Sequence, residues 1–176
     1  MTCGLRTLER ADLPFVHALF NDPAVMRYWF VEPTHSLAAM EDRYGARLHD
    51  ESERRFVIDD AGRRCGIVEL VGIDLRHRHA EFQIIVAPEY QGHGYAGIAT
   101  RAALGYAFRI LNLHKVFLLV DELDEAAVHI YGKHGFRTEG VLREEYFADG
   151  AYRDVIRMAV YQRDFLAAGE PGPAAG

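Results

Sequence analysis

The sequence has little of several residue types on which whole classes of protein depend. Of its 176 residues only Cys3 and Cys65 are cysteines, which is too few for a disulfide framework. No apolar run is long enough to cross a bilayer, and no signal-peptide stretch is recognisable. Lysine and arginine (20) are outnumbered by aspartate and glutamate (26), and the net charge of −6 disfavours nucleic-acid binding. We therefore expect a cytoplasmic protein without a nucleic-acid or membrane partner.

The composition that remains is typical of a globular protein, with 49% hydrophobic and 26% charged residues. A chain of this length can bury a substantial core as one domain. We find no internal repeat and no linker. The last residues, GEPGPAAG, have the glycine and proline content of a disordered tail. The sequence therefore predicts a single domain over residues 1–168 and a tail over residues 169–176.

The most informative stretch covers residues 82–98, where an apolar run is followed by a glycine-rich turn and a helical pattern. Residues 82–86 have the composition of a buried strand, and Pro88 ends it because proline cannot donate to a strand ladder. The turn, residues 91–96, opens a helix with apolar residues at helical spacing from Ile98. Such a turn presents unpaired backbone N–H groups and the positive end of the helix dipole. It favours an anion, most naturally a phosphate or pyrophosphate.

Two ligands are compatible with this turn. Gly92, Gly94 and Gly97 match the dinucleotide fingerprint, with Asp121 at the end of a later strand as the ribose-binding acid. That fingerprint normally precedes further alternating strands and helices, whereas one short helix and two extended strands follow here. The other interpretation is a loop that holds the pyrophosphate of coenzyme A through Gln91, Gly94 and Ala96.

The rest of the chain predicts a mixed α/β sheet, antiparallel early and parallel around the glycine-turn helix. Helices are expected after Asp12 and Ser36, each acting as an N-cap, from Gly97 to Leu111, and from the cap Asp124 to Gly135. The unbroken apolar run 116–120 is typical of a strand buried on both faces. Seven strands are predicted: 5–8, 55–59, 65–73, 81–86, 116–120, 138–147 and 152–161, the last two joined by a hairpin at 149–150.

A metal site is not expected. His77, His79 and Glu81 alternate along one strand in the manner of metal ligands. The flanking Arg76 and Arg78 would repel a cation, and no further cysteine or histidine cluster completes a coordination sphere. A solvated loop explains the pattern better.

Three motifs carry a resemblance to a known family. They are Gln91-x-x-Gly94-x-Ala96, the sequence Leu111-Asn112-Leu113-His114-Lys115, and a late helix with Tyr131-x-x-x-Gly135-Phe136. In these the chain resembles the GCN5-related N-acetyltransferases (GNAT). Residues 26–33, 49–56, 80–85 and 139–140 are similar to the bacterial spermidine N-acetyltransferases within that superfamily. The likeness covers roughly residues 5–166.

The resemblance implies a GNAT fold with about seven strands, a splayed central strand pair and four to five helices. It also implies acetyl-CoA as co-substrate and a homo-oligomer. The central strand would hold the pantetheine arm, the turn would hold the pyrophosphate, and the last helix would line the other side. The implied coenzyme-binding residues are Ile84, Ile85, Val86, Gln91, Gly92, His93, Gly94, Tyr95, Ala96, Asp124, Ala127 and Lys133.

Tyr131 matches the family's proton donor, and a phenol with a pKa near 10 is protonated at neutral pH and can donate to a departing thiolate. Glu81 is a candidate proton acceptor, or a carboxylate that only orients the ammonium group. Aromatic faces and carboxylates attract amines, although core packing and ordinary ion pairs explain the same residues. The implied amine-binding residues are Met26, Trp29, Glu32, His49, Glu53 and Glu69.

The leading hypothesis is acetylation of a polyamine, spermidine or spermine. The chain departs from the spermidine enzymes where Val31, His35, Ala39 and Gly72 replace acidic residues. This departure weakens the case for a regulatory polyamine site and keeps two alternatives open. One is acetylation of another amine, such as a protein N-terminus or an amino-sugar antibiotic. The other is a non-catalytic sensor of acyl-CoA or polyamine.

Overall fold

A seven-stranded mixed sheet forms the centre of the molecule, as predicted. The computed structural model describes residues 3–26, 29, 36–148 and 150–169. The strand order in the sheet is β1-β2-β3-β4-β5-β7-β6. The strands are β1 (Cys3–Thr7), β2 (Arg54–Asp60), β3 (Arg63–Asp74), β4 (His79–Val86), β5 (Lys115–Asp121), β6 (Arg137–Ala148) and β7 (Ala151–Tyr161).

Six α-helices accompany the sheet in the described residues. They are α1 (Leu13–Phe20), α2 (Pro23–Met26), α3 (Leu37–Ala46), α4 (Tyr95–Gly105), α5 (Glu125–Lys133) and α6 (Gln162–Ala167). The sequence did not predict α6, which is only six residues long. The helix predicted to reach Leu111 instead changes to a π-helical turn at Tyr106–Ile110. None of the helices in the described part of the chain has the length and apolar character needed to span a membrane.

The centre of the sheet is where its two halves separate. The strands β1 to β4 pair antiparallel with their neighbours. The strand β4 then pairs parallel with β5 over only three positions, from His79↔Lys115 to Glu81↔Phe117. Beyond Glu81 the two strands diverge, whereas β5 stays paired with β7 along its whole length. The predicted splayed strand pair is therefore present.

The two faces of the sheet carry separate cores. Phe82, Leu104 and Phe108 belong to a core between the sheet and α4. Ile85 belongs to a second core that includes Leu13 of α1. Side chains alternate between the faces along β4, so Glu81, Gln83 and Ile85 point to the α1 face and their neighbours to the α4 face.

Two local predictions were wrong. Asp12 precedes α1, but its side chain does not cap that helix. The carboxylate is buried and accepts hydrogen bonds from Arg6 (2.8 Å) and Arg64 (2.6 Å) instead. The strand β5 is fully buried on one face only, because its other face carries half-buried residues and lines a cleft.

The connection between β6 and β7 is the hairpin that the sequence predicts. Ala148 pairs with Ala151, so the hairpin joins two strands across residues 149–150, and Gly150 has the positive φ of 80° that such turns need. Asp149 and the tail residues 170–176 lie outside the described residues. Gly135, which follows α5, also has a positive φ, as its predicted role as a helix stop requires.

Candidate active site

A cleft of about 360 Å³ opens where β4 and β5 diverge. Ala87 donates its backbone N–H to Cys65 of β3 at 2.9 Å. Because bonded and non-bonded positions alternate along an antiparallel pair, Ile84 and Val86 direct their backbone groups away from β3 and into the cleft. The side chain of Gln91 donates to the Val86 carbonyl at 3.1 Å, as this orientation requires. One wall of the cleft is therefore a strand edge without a partner strand.

The glycine turn lies at the end of this strand. Gly92 and Gly94 have φ values of 77° and 84°, in the left-handed region that glycine adopts without steric cost. The first hydrogen bond inside α4 runs from the Ile98 N–H to the Gly94 carbonyl. The preceding N–H groups, including those of Tyr95 and Ala96, therefore lie outside the helix ladder, at the positive end of its dipole. The geometry fits a pyrophosphate.

Tyr131 stands on the α4 face of the cleft. Its ring packs edge-on against Phe82, with centroids 6.4 Å apart, and against Phe136 at 5.8 Å. Burial, assisted by the charge of Asp124, raises the pKa of Tyr131 to about 12. No residue in the described part of the chain forms a hydrogen bond with its hydroxyl group. A protonated phenol is therefore held in the cleft by packing alone.

Glu81 lies on β4, and its side chain is on the α1 face of the cleft, opposite to Tyr131. The amide of Gln83 donates to its carboxylate at 2.9 Å, and Glu81 forms no ion pair with a described residue. Trp29, packed edge-on against Phe20 at 5.9 Å, lines the cleft on this side. The described residues that line the cleft include Glu81 and no lysine or arginine. This side of the cleft is suited to a cation with an apolar body.

A second and larger cavity, of about 550 Å³, lies beside β2 and α3. We call it the charged cavity. Glu53 in its lining pairs with Arg47 (2.5 Å) and Arg55 (2.8 Å). The Arg55 Nε also lies 2.9 Å from buried Glu69, as an ion pair that lacks hydrogen-bond alignment. Burial, partly opposed by Arg55, raises the pKa of Glu69. Glu53 and Arg55 are thus already engaged by internal partners.

The structure brings together some of the predicted site residues and separates others. Those that line the cleft are Trp29, Glu81, Ile84, Ile85, Val86, Gln91, Asp124, Ala127 and Tyr131. Among the described residues, the carboxylates proposed for amine binding do not line one cavity together. His49 and Glu53 line the charged cavity, while Met26 and Glu69 are buried. Glu32, together with Val31 and His35, lies outside the described residues.

Three predicted coenzyme contacts need a more specific description. The hydroxyl group of Tyr95 is directed inward and donates to Asp60 at 2.9 Å, so only its backbone could contact a ligand. Asp124 caps α5 by accepting the Ala127 N–H at 3.0 Å. Lys133 lines a third cavity, of about 260 Å³, with Arg101 and Asp164, and not the cleft.

The dinucleotide alternative is wrong. Its ribose-binding acid, Asp121, is buried and accepts hydrogen bonds from the Leu123 N–H (2.8 Å) and from Arg153 (3.1 Å). The parallel pairing on which that fold depends is limited to three positions of β4 and β5. The described residues also contain no group of three or more His, Cys, Asp or Glu side chains that could hold a metal ion.

Comparison with known families decides the interpretation. A family model described as an acetyltransferase (GNAT) domain matches residues 3–137. The chain belongs to the GNAT acetyltransferase family. Enzymes of this family use acetyl-CoA, and the unpaired edge of β4 and the glycine turn are groups suited to its pantetheine arm and pyrophosphate. The predicted fold, enzyme class and co-substrate are confirmed.

The relatives are similar over nearly the whole chain. A spermidine N(1)-acetyltransferase of Escherichia coli (strain K12) is 52% identical over 163 residues, covering 93% of this chain and 88% of the relative. One from Vibrio cholerae serotype O1 is 50% identical, with 92% and 94% coverage. The crystal structure of the Vibrio cholerae spermidine N-acetyltransferase in complex with CoA and spermine superposes with a TM-score of 0.92. It is 49% identical and covers 94% of this chain and 98% of that one.

Two polar residues of the cleft were missed in the sequence. Gln83 was overlooked although strand alternation places it on the same face as Glu81. Asp121 was considered only as a ribose-binding acid, although it lines the cleft. Its partners Tyr146 and Arg153 lie on the last hairpin, far away in sequence. No local pattern identifies such a contact.

Proposed function

We propose that this protein transfers the acetyl group of acetyl-CoA to an amine of a polyamine such as spermidine or spermine. The observation that carries the proposal is a cleft through the sheet that has an unpaired strand edge, Tyr131 on one face and Glu81 on the other. The 50–52% identity to spermidine N(1)-acetyltransferases supports the choice of amine.

Acetyl-CoA is expected to bind from the α4 face. Its pyrophosphate would accept hydrogen bonds from the backbone of the glycine turn, which includes His93 beside Gly92 and Gly94. The pantetheine arm would continue along the free edge of β4, contacting the backbone of Ile84 and Val86. An N–H on that edge is placed to donate to the thioester oxygen and to stabilise the negative charge that develops there.

The amine is expected to approach from the α1 face, where Glu81 and Trp29 lie. Glu81 has no arginine or lysine partner among the described residues, so its charge is available to an ammonium group. It would accept a proton directly or through a water molecule, which leaves the neutral amine as the nucleophile. The apolar carbons of the polyamine would pack against the Trp29 ring.

The chemical step then requires one donor. The amine nitrogen forms a bond to the carbonyl carbon, the bond from that carbon to sulfur breaks, and the nitrogen releases its second proton to solvent as it becomes an amide nitrogen. The departing thiolate takes the hydroxyl proton of Tyr131, which returns from solvent in the next cycle. Burial raises the pKa of Tyr131 to about 12, so the hydroxyl group is protonated when the amine attacks.

Other inferences from the sequence remain predictions. They include roles in amine binding for Met26, Glu32, His49, Glu53 and Glu69, and a coenzyme contact for Lys133. Assembly into a homo-oligomer and a cytoplasmic location also remain predictions. Light scattering of the purified protein would test the first of these two.

An acceptor panel tests the proposed function. Release of CoA thiol is followed at one acetyl-CoA concentration with spermidine, spermine, putrescine, an aminoglycoside and a peptide with a free N-terminus. We expect spermidine or spermine to give the highest kcat/KM. Turnover of only the aminoglycoside or the peptide would establish the alternative amine class. Tight CoA binding without turnover of any amine would establish the sensor.

A further inference from the structure

A buried polar cluster joins three strands at the point where β5 ends and α5 is about to begin. Its centre is Asp121, of which 1% is exposed. The carboxylate accepts hydrogen bonds from the Tyr146 hydroxyl of β6, from Arg153 of β7 at 3.1 Å and from the Leu123 N–H at 2.8 Å. We call these residues the Asp121 cluster. It takes no direct part in the proposed chemistry.

The cluster determines how the chain enters α5. The side chain of Asp121 holds the Leu123 N–H, and its backbone carbonyl accepts the Asp124 N–H at 2.9 Å. Asp124 in turn caps α5 through the Ala127 N–H at 3.0 Å. Tyr131 follows on the same helix, about 10 Å along its axis from the cap. An unbroken series of hydrogen bonds thus connects the last hairpin to the helix that carries Tyr131.

The protonation states of Asp121 and Tyr146 favour a hydrogen bond that persists over the assay range of pH. Burial acts to raise the pKa of Asp121, but the hydrogen bonds from Tyr146, Leu123 and Arg153 outweigh it and lower the pKa. Burial and the bond to Asp121 raise the pKa of Tyr146 to about 12. The carboxylate is therefore ionised and the phenol protonated at every pH at which the enzyme would be assayed.

The hairpin is shaped so that these side chains can reach Asp121. The pairing of β6 with β7 shifts register between Leu142 and Tyr146. Within that irregular segment Glu144 has a positive φ of 50°, a conformation that is rare for a residue with a side chain. Its N–H donates to Asp154 at 2.8 Å. Such irregularities in a strand re-aim side chains, here that of Tyr146.

We propose that Asp121, Tyr146 and Arg153 are positioning residues that hold α5 so that the Tyr131 hydroxyl faces the thioester sulfur. The inference rests on the proposed role of Tyr131 as proton donor. A displacement of about 1 Å in a reacting group can cost up to about 10²-fold in rate. Loss of one hydroxyl from the cluster is therefore expected to lower kcat without affecting amine binding.

The test is a double-mutant cycle on the full-length enzyme, with steady-state kinetics for spermidine and acetyl-CoA. The variants are Tyr146→Phe, Tyr131→Phe and the combination of the two. We expect Tyr146→Phe to lower kcat about tenfold and to leave the KM for spermidine within about twofold. In the Tyr131→Phe background it should have no further effect, because the group that it positions is no longer there.

A matched control is available on the same pair of strands. The Tyr161 hydroxyl donates to Glu139 at 3.1 Å, away from the cleft, so Tyr161→Phe should leave kcat unchanged in both backgrounds. Should Tyr146→Phe be unfolded at the assay temperature, Arg153→Lys enters the same cycle, because it keeps the charge and loses the planar guanidinium.

Three results would count against the inference, and they are distinguishable. An equal loss of kcat from Tyr146→Phe in both backgrounds would overturn the positioning role and leave the donor role intact. An unchanged kcat for Tyr146→Phe alone would have the same meaning. No effect of Tyr131→Phe would overturn the donor role itself, and the positioning role with it.

Discussion

The cleft and the charged cavity differ in what their polar groups already contact. The charged cavity is the larger, about 550 Å³ against about 360 Å³, and it holds more charge. Glu53 and Arg55 in its lining form an ion pair, and Arg55 also contacts buried Glu69. In the cleft the edge of β4 lacks a partner strand beyond Glu81, and the Tyr131 hydroxyl has no hydrogen-bond partner among the described residues.

This difference indicates where chemistry is possible. A ligand gains affinity from a protein group only if that group does not first have to give up an equivalent internal contact. The smaller cavity therefore has more capacity to bind and react, although the larger one has more volume and more charge. The following paired substitutions test this difference.

The largest effect is expected for Tyr131→Phe, compared with Tyr106→Phe in the charged cavity. Loss of the Tyr131 hydroxyl removes the proton donor, and we expect kcat to fall by about 10²–10⁴-fold. Tyr106 packs its ring on Phe56, with centroids 5.1 Å apart, so loss of its hydroxyl should leave kcat within about twofold. Initial rates with spermidine measure both. Similar rates for the two variants would remove the functional distinction between the cavities.

The pH profile provides a second measure of Tyr131. Because burial raises its pKa to about 12, the donor form should persist, and kcat of the wild type should not decline below about pH 11. An ordinary phenol would titrate near pH 10. A decline of kcat centred near pH 10 that is absent in Tyr131→Phe would contradict the buried environment.

The next effect concerns stability. Arg55→Met leaves Glu69 buried without its ion-pair partner, and we expect a loss of about 3 kcal/mol in the free energy of unfolding at pH 8. Arg47→Met, which removes an exposed partner of Glu53, should cost less than about 1 kcal/mol. Urea unfolding monitored by the fluorescence of Trp29 gives both values.

The sign of the pH dependence follows from Glu69. Its folded-state pKa is raised above the unfolded value. Its contribution to stability is therefore present below the unfolded pKa and is lost as pH rises through the folded pKa. Removal of Arg55 raises the folded pKa further, so the penalty in Arg55→Met should shrink between pH 8 and pH 5. A constant penalty would mean that Glu69 does not depend on Arg55 for its charge.

A smaller effect is expected for Glu81→Gln, compared with Glu53→Gln. Glu81 is available to attract the ammonium group and accept its proton, so kcat/KM for spermidine should fall by about 10–100-fold. Glu53 is held by two arginines, and its loss should change kcat/KM by less than about threefold. Equal losses would show that amine binding extends into the charged cavity.

The smallest effect is expected for Gly94→Ala, compared with Gly105→Ala on the same helix. Gly94 has a φ of 84°, a conformation that costs a residue with a Cβ about 1 kcal/mol. We expect the turn to shift and the KM for acetyl-CoA to rise about fivefold. Gly105 has a helical φ of −58° and open space around it, so alanine there should leave KM unchanged. Calorimetric titration with CoA provides an independent check.

Most of the fold could be predicted because it depends on local patterns. The strand with the glycine turn, the cap at Asp124 and the 149–150 hairpin follow from residue types within a few positions of one another. The splayed strands came from the family resemblance and not from any pattern in the residues. The position of Asp12 beside its helix was also predictable, but its burial with Arg64 was not, because that contact joins residues far apart in sequence.

The site was predicted less completely for a related reason. Helix periodicity predicts that Tyr131 faces inward from α5, whereas its role as proton donor and the backbone contacts of Ile84 and Val86 were implied by the family resemblance. The separation of Glu81 from Glu53 depends on which face of the sheet each residue occupies and on which arginines come near. The sequence identifies the carboxylates, but only the three-dimensional structure shows which of them are paired with arginines.

The short pairing of β4 with β5, over three positions, has a consequence for the stability of the protein. A coenzyme that lies along the free edge of β4 would form hydrogen bonds in place of a partner strand and fill the gap between β4 and β5. The hydrogen exchange of the Ile84 and Val86 amides would then be slow when acetyl-CoA is bound and faster when it is scarce. Starvation for the acetyl donor would leave the protein easier to unfold and to degrade.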